Sequence, residues 1–203
     1  MPPQTELFLL PGGYVGVNPI ENGRANLCAL LSYDAFAAAG KQIDVAVEQM
    51  QRWNPALAER LAGAIPQPDS VCTVAAVDTM RRPRPWDGVA CVGDTAAMIP
   101  PLCGDGMAMA LQAAALCAPL AAAFLRGDCS REQWRARYVA AWHIKFDRRL
   151  RVGWMLQQTL GWPIVSDLLL EVGRYVPALT TRLVQATRGS VSLGRHTNEV
   201  SSG

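Results

Sequence analysis

The segment Val89-Ala-Cys-Val-Gly-Asp-Thr-Ala-Ala-Met-Ile-Pro-Pro-Leu-Cys-Gly-Asp-Gly-Met-Ala-Met-Ala-Leu111 constrains this chain more than any other. An apolar run over Gly88 to Val92 ends at Gly93-Asp94, so it reads as a buried strand with a carboxylate at its C-terminal edge. A proline-containing loop follows, then Gly104-Asp105-Gly106, then a long alanine-rich stretch of helical composition. A helix start leaves its first N–H groups without intrahelical partners and carries partial positive charge. Glycines there let a flat, electron-rich group come close to the backbone. The order strand, acid, loop, glycine, helix therefore predicts a cofactor site.

At 203 residues the chain is expected to hold one domain or one and a half, and half its residues are hydrophobic, enough for a core. With 19 basic and 17 acidic side chains the net charge is +2, which gives no electrostatic footprint for nucleic acid. Arg81-Arg82-Pro83-Arg84 reads as a solvated loop, and Arg148-Arg149-Leu150-Arg151 as a solvated helix face. Six cysteines (28, 72, 91, 103, 117 and 129) contain no C-x-x-C pair, and only two histidines occur, a pattern against a zinc or iron–sulfur site. That usage suits a reducing cytosol, and no charged-then-apolar leader opens the sequence, so a cytoplasmic protein is expected. Met107 to Leu125 is almost wholly apolar, but it is rich in alanine and interrupted by Gln112 and Pro119. It is predicted to be a buried helix rather than a membrane span.

Along the chain, Glu6 to Leu10 is a strand stopped by Pro11-Gly12-Gly13, with Tyr14 to Ile20 as its extension. Glu21-Asn22-Gly23-Arg24 is a tight turn, and Arg24 to Tyr33 is the return strand. Lys41 to Trp53 is helical, and Pro55 opens a second helix to about Gly63. Val71 to Met80 is a β-type run returning to the sheet. After the alanine-rich helix, which ends near Gly127, Ser130-x-x-Gln133 is a capping box for a helix whose face runs through Trp134, Tyr138, Ala141, Lys145, Val152 and Leu156. Pro163 opens a further helix to Gly173, Pro177 breaks or restarts it, and a frayed polar tail begins at Arg195. The expected division is 1–87, a sheet segment with two helices; 88–127, the strand–loop–helix motif; and 128–203, a helical region with a polar tail. The fold class is α+β.

The residues Gly93-Asp94-Thr95-Ala96-Ala97 and Pro100-Pro101-Leu102-Cys103-Gly104-Asp105-Gly106-Met107 form a pattern similar to G-D-A-A-x-x-x-x-P-x-x-G-x-G. The segment resembles the second flavin-contact motif of FAD-dependent oxidoreductases of the p-hydroxybenzoate-hydroxylase-like group. That group includes geranylgeranyl reductases, aromatic monooxygenases and flavin-dependent halogenases. Thr95 stands where alanine is usual, and the histidine common in monooxygenases is Ala97 or Met98 here. The resemblance implies FAD as cofactor and a partial FAD/NAD(P)-binding fold, in which antiparallel substrate-domain strands accompany a buried strand leading to the motif. It implies that Asp94 bonds a ribityl hydroxyl, and that the backbone from Gly93 through Thr95 to Ala96 lies near the pyrophosphate. Pro101 would shape the loop beside the flavin ring, with Gly104, Gly106 and Met107 at its pyrimidine end. A helix N-terminus there stabilises reduced flavin by up to ~1–2 kcal/mol, and Asp105 would support the same first turn as an N-terminal acid.

Tyr14-Val15-Gly16-Val17-Asn18-Pro19 is similar to the Y-x-W-x-F-P strand that lines the substrate cavity of geranylgeranyl reductases. Gly16 and Asn18 replace the two aromatic residues, and Tyr14 and Gly16 are the implied substrate-wall positions. The G-x-G-x-x-G unit that begins such enzymes is not found before Gly93, so the chain is expected to be their C-terminal half, truncated or split. The expected partners are a hydrophobic small metabolite and a chain supplying the nucleotide-binding half. The expected activity is a flavin-dependent reduction or hydroxylation, with the catalytic side chains unassigned. Cys103 reads as a packing cysteine, and His143 with Asp147 as a surface pair. Two other classes stay open: a helical interaction protein with a vestigial loop, and a peripheral membrane protein using Trp154, Trp162 and Leu168-Leu169-Leu170.

Overall fold

Glu6–Leu10 (β1), Gly13–Pro19 (β2) and Ala25–Leu31 (β3) form an antiparallel meander in the order β1-β2-β3. The computed structural model describes residues 4–75 and 77–160. Tyr14 to Ile20 does not extend the first strand as expected. The chain reverses at Pro11-Gly12, where Gly12 has a φ of 77°, and β2 returns along β1 with Phe8 opposite Val15. A Cβ on Gly12 would stand 2.8 Å from Ser32 Oγ, so this reversal needs glycine for space as well as for conformation. The second reversal lies at the predicted Glu21–Arg24 turn, where Asn22 and Gly23 have φ of 62° and 69°, the left-handed pair that matches strand twist.

Three helices follow: Tyr33–Ala38 (α1), Ile43–Trp53 (α2) and Pro55–Leu61 (α3). The first takes the end of the predicted return strand. Ser32 Oγ accepts the Ala35 N–H at 3.1 Å, an N-cap that starts helix where the strand reading continued. Asn54 caps α3 by accepting the Leu57 N–H at 3.1 Å, and its own amide donates to the Leu9 carbonyl at 3.0 Å. One side chain thus begins a helix and ties it to β1. Val15, Val17, Leu10, Met50 and Leu57 are the buried core here, flanked by Phe8, Leu31, Val47, Trp53 and Leu61. The helices therefore cover the sheet face carrying Val15 and Val17.

Val71 to Met80 is not a strand among the described residues. Val71 and Val74 are exposed, and no neighbouring strand pairs with the segment. β-branched composition favours a strand only where a sheet edge receives it. The buried strand expected before Gly93 is corrected too. Trp86–Asp87 (β4) and Val89–Ala90 (β5) form only a two-residue antiparallel ladder around Gly88, and Val89 is exposed. β5 pairs with β4 alone, so no sheet encloses it among the described residues.

Gly106–Leu125 (α4) and Arg131–Leu160 (α5) make an antiparallel hairpin. Phe124 stacks on Trp134 with ring centroids 5.3 Å apart at one end, and Arg149 meets Asp105 at the other. The predicted capping box is present: the Gln133 N–H donates to Ser130 Oγ at 3.2 Å, and the Ser130 N–H to Gln133 Oε1 at 2.9 Å. The inward face of α5 steps through Tyr138, Trp142, Phe146, Arg149, Leu150 and Gly153, all buried. The expected face drifted to Ala141 and Lys145, one residue off the true stripe. Tyr138, Trp142 and Phe146 pack with Ala96, Ala97, Ile99, Met109 and Ala113. Burying each large apolar ring contributes roughly 1.5–3 kcal/mol.

α4 continues through Pro119 without ending. It is less covered than its composition predicts. Met109 and Ala113 are buried, but Met107, Leu111 and Leu125 are 84%, 74% and 81% exposed. α5 shields one side of it, leaving an apolar stripe on the other. By length and hydropathy α4 is also the one helix among the described residues that meets the requirement for crossing a membrane.

The chain divides into two compact units, one holding the described residues up to Val77 together with 155–160, the other Asp78–Trp154. The readings for Trp162, Pro163, Leu168-Leu169-Leu170, Pro177 and the tail from Arg195 lie outside the described residues.

Candidate functional site

In the second unit, Gly93–Thr95 forms a single 3-10 turn after β5. Gly93 has a φ of 60°, and a Cβ there would stand 3.1 Å from Ala110 Cβ. Glycine is therefore what lets this turn lie against the second turn of α4. Its carbonyl accepts the N–H groups of Ala96 and Ala97 at 3.0 and 3.1 Å, and Thr95 Oγ1 donates to the Val92 carbonyl at 2.7 Å. Ala96 is buried with its N–H engaged, whereas Asp94 and Thr95 are exposed. The Asp94 carboxylate has no hydrogen bond or ion pair with any described residue, which leaves it open to an external donor.

The loop then passes buried Ile99 and Pro100 into a second 3-10 turn, Pro101–Cys103, with Pro101 exposed. Gly104 is left-handed at φ 63° and ψ 18°, and nothing lies within 4 Å of where its Cβ would be. Conformation requires glycine there, and the space above it is open. The first bond of α4 runs from the Met109 N–H to the Asp105 carbonyl at 2.9 Å. The N–H groups of Gly106, Met107 and Ala108 thus have no intrahelical acceptor. Met107 projects outward.

Asp105 occupies the N-cap position, yet its side chain makes no capping bond. The expected support of the first turn is replaced by an inward ion pair, in which Arg149 Nη1 donates to Asp105 Oδ2 at 3.1 Å and both residues are buried. Arg149 Nη2 donates to Gln112 Oε1 at 3.0 Å, and the guanidinium lies 5.7 Å from the Phe146 ring centre. Arg149 is therefore not part of a solvated basic face. Sequence reasoning missed it by grouping Arg148-Arg149-Leu150-Arg151 as a charge run. The signal was its position three residues after Phe146 on the apolar stripe. Gln112, read as an interruption of an apolar helix, is the third member of this network.

Two further contacts hold the loop. Tyr138 Oη donates to the Cys91 carbonyl at 2.6 Å, and burial pushes the Tyr138 phenol well up, so it stays a donor. At Gly153 a Cβ would stand 3.2 Å from each of Cys103 Sγ, Ile99 Cγ1 and Pro100 Cδ, so α5 seats directly on the loop. Burial, and then the Asp105 charge, push the Cys103 thiol up to about 11. It remains a thiol at neutral pH, as a packing cysteine does. His143 Nδ1 and Asp147 Oδ1 lie 2.9 Å apart and are half exposed, a surface pair as expected.

In the first unit, Tyr14 and Gly16 alternate with Val15 and Val17 along β2, so they lie on the sheet face that α2 and α3 do not cover. Gly16 stands opposite Leu7 and Cys28, both exposed, and a Cβ there would meet only the Cys28 carbonyl at 3.9 Å. Two shallow surface depressions are bordered by Glu6, Phe8 and Arg60 in one unit and by Arg84, Trp86 and Arg135 in the other, and neither includes a motif residue.

No family model matches the chain, and no curated protein matches it by sequence. Among solved structures, the chain is similar to PqsL, a probable FAD-dependent monooxygenase from Pseudomonas aeruginosa. The TM-score is 0.58 at 21% identity, over 83% of this chain and 47% of PqsL. A variant of PqsL with four substitutions gives 0.56 at 22% identity, over 78% of this chain and 44% of that one. The chain has the fold of about half of PqsL. It spans about half the length of the solved structures that it matches. The chain is α+β, with a three-stranded antiparallel sheet and a helical hairpin, and this fold is similar to part of that probable monooxygenase.

Proposed function

We propose that this chain is the flavin-ring half of an FAD-dependent oxidoreductase acting on a hydrophobic small metabolite. The observation that carries the reading is the end of α4. A left-handed Gly104 with open space above it adjoins three N–H groups lacking intrahelical acceptors, and the unengaged Asp94 sits on a turn packed against the same helix. These residues fit an isoalloxazine and its ribityl chain. Gly104, Gly106 and Met107 would meet the pyrimidine edge, Asp94 a ribityl hydroxyl, and the Gly93–Thr95 backbone the start of the pyrophosphate. Ala96, enclosed and with its N–H used, would contribute by packing the turn. When bound, FAD supplies hydride transfer or oxygen-dependent hydroxylation. The chain's own part is to orient the ring and to stabilise negative charge at its pyrimidine edge.

Tyr14 and Gly16, on the β2 face opposite Val15 and Val17, support a substrate wall, and glycine in place of a bulky aromatic leaves that wall roomier than in geranylgeranyl reductases. PqsL is described as a probable monooxygenase, and the strand similarity is to reductases, so the reading is held at the level of FAD-dependent oxidoreductase. The match to half of PqsL and the exposed Met107, Leu111 and Leu125 stripe support a second polypeptide segment that covers α4 and holds the ADP part of the cofactor. The same stripe favours the alternative of a helical interaction or membrane-surface protein that binds no flavin.

The test is flavin content. The protein isolated under native conditions from its own cells, with whatever accompanies it, is expected to carry stoichiometric FAD, and Asp94→Ala to lose it. A flavin-free native assembly, or full retention in Asp94→Ala, would refute the assignment.

A further inference from the structure

The network joining Arg149, Asp105 and Gln112 is the part of the second unit that the flavin motif leaves unexplained. A carboxylate at an N-cap ordinarily turns toward the helix N–H groups, accepts from them and is stabilised by the dipole. Asp105 does not. Its side chain is drawn to the interior side of the loop, where Arg149 Nη1 lies 3.1 Å from Oδ2 and Gln112 holds the other arm of the guanidinium at 3.0 Å. Neighbouring Gly104 and Met107 face outward and are exposed. The outward side of this helix end therefore presents N–H dipoles without the negative charge its own sequence places there.

We propose that Arg149 is a positioning residue for the anion-binding end of α4. It holds the Asp105 carboxylate inward and neutralised, so that the Gly104–Met107 backbone receives the electron-rich edge of a flavin without like-charge repulsion. The inference rests on the flavin reading. It adds the device that makes an acid tolerable inside a glycine loop meant for an anionic ring. Once Arg149 no longer holds it, the carboxylate can turn to the N–H groups of Gly106 to Ala108, and capping them would occupy the site and place a charge in it.

The experiment titrates FAD into the isotopically labelled chain and follows the backbone amide resonances of Gly104 to Met107. It compares wild type, Arg149→Met, and Arg149→Met combined with Asp105→Asn. Arg149→Met is expected to weaken the response at these amides at least tenfold. Adding Asp105→Asn, which breaks the ion pair just as fully but removes the acid, is expected to restore affinity to within threefold of wild type. A purely structural role for the ion pair predicts the opposite, with the double variant as weak as the single. If Arg149→Met does not fold, the double variant against wild type decides: agreement within threefold supports the proposal, and a larger loss overturns it. A wild-type chain whose amides ignore FAD removes the flavin reading and this inference together. A responsive wild type with an unresponsive, folded double variant removes only the inference.

Discussion

Gly153→Ala sets two effects of opposite sign against each other at the seat of α5 on the loop. In an open helix interior, replacing glycine by alanine stabilises by about 1 kcal/mol through backbone entropy. At Gly153 the new methyl would stand 3.2 Å from Cys103 Sγ, Ile99 Cγ1 and Pro100 Cδ, three contacts each tighter than ordinary packing. The proline ring cannot rotate away and Ile99 is buried, so relief must come from moving the loop or α5. Overpacking of this kind costs about 1–3 kcal/mol, which outweighs the propensity gain and leaves a net loss of about 1 kcal/mol. For a chain of this size that corresponds to a fall in Tm of about 2–4 °C. Urea unfolding followed by tryptophan fluorescence, with Trp86, Trp134, Trp142 and Trp154 all in the second unit, reads the change as a lower midpoint at constant slope. Cys103→Ala removes one of the three close atoms, so Gly153→Ala should cost less in that background by about 0.5–1 kcal/mol. A raised midpoint for Gly153→Ala in the wild-type background would show that α5 does not rest on the loop, and the account of how the site is held would be wrong.

Tyr138→Phe keeps the ring but leaves the Cys91 carbonyl without its 2.6 Å donor, and a loss of about 1–2 kcal/mol in urea unfolding is expected; no change would mean that the bond is not formed. Cys103, raised from 9.0 to about 11, binds its proton more tightly folded than unfolded. Its contribution is complete below pH 9 and is lost as the pH rises toward 11. The unfolding midpoint of wild type should therefore fall more steeply over that interval than that of Cys103→Ala, and parallel curves would contradict the burial of the thiol. Asp94→Ala, at an exposed position with no hydrogen bond or ion pair to another described residue, should leave flavin-free stability within about 0.5 kcal/mol of wild type while abolishing FAD retention. A large loss of stability would make Asp94 a structural residue.

Local signals made much of this fold legible. Asn22-Gly23 announced its turn, Pro55 its helix and Ser130 with Gln133 its capping box, because each satisfies its own backbone requirement within a few residues. The glycine positions of the motif were legible for the same reason, since Gly93 and Gly104 adopt conformations that other residues resist. Readings that depended on distant partners failed. Among the described residues, Val71 to Met80 has strand composition but meets no strand, and β5 has a buried strand's sequence but pairs only with β4. Composition also hid Arg149, whose role appears only when Asp105, forty-four residues earlier, is seen beside it. α4 is the reverse case, with a core helix's sequence but an exposed stripe through Met107, Leu111 and Leu125.

The central claim is that FAD meets this chain at the two glycine-bearing turns before α4. Amide resonances of the labelled chain, followed as FAD is added to large excess, test it without requiring the activity of a complete enzyme. Shifts concentrated at Gly93 to Thr95 and at Gly104 to Met107, saturating weakly with the chain alone, are the predicted result. Saturable shifts elsewhere with these turns silent, or no response at any concentration reached, would contradict it.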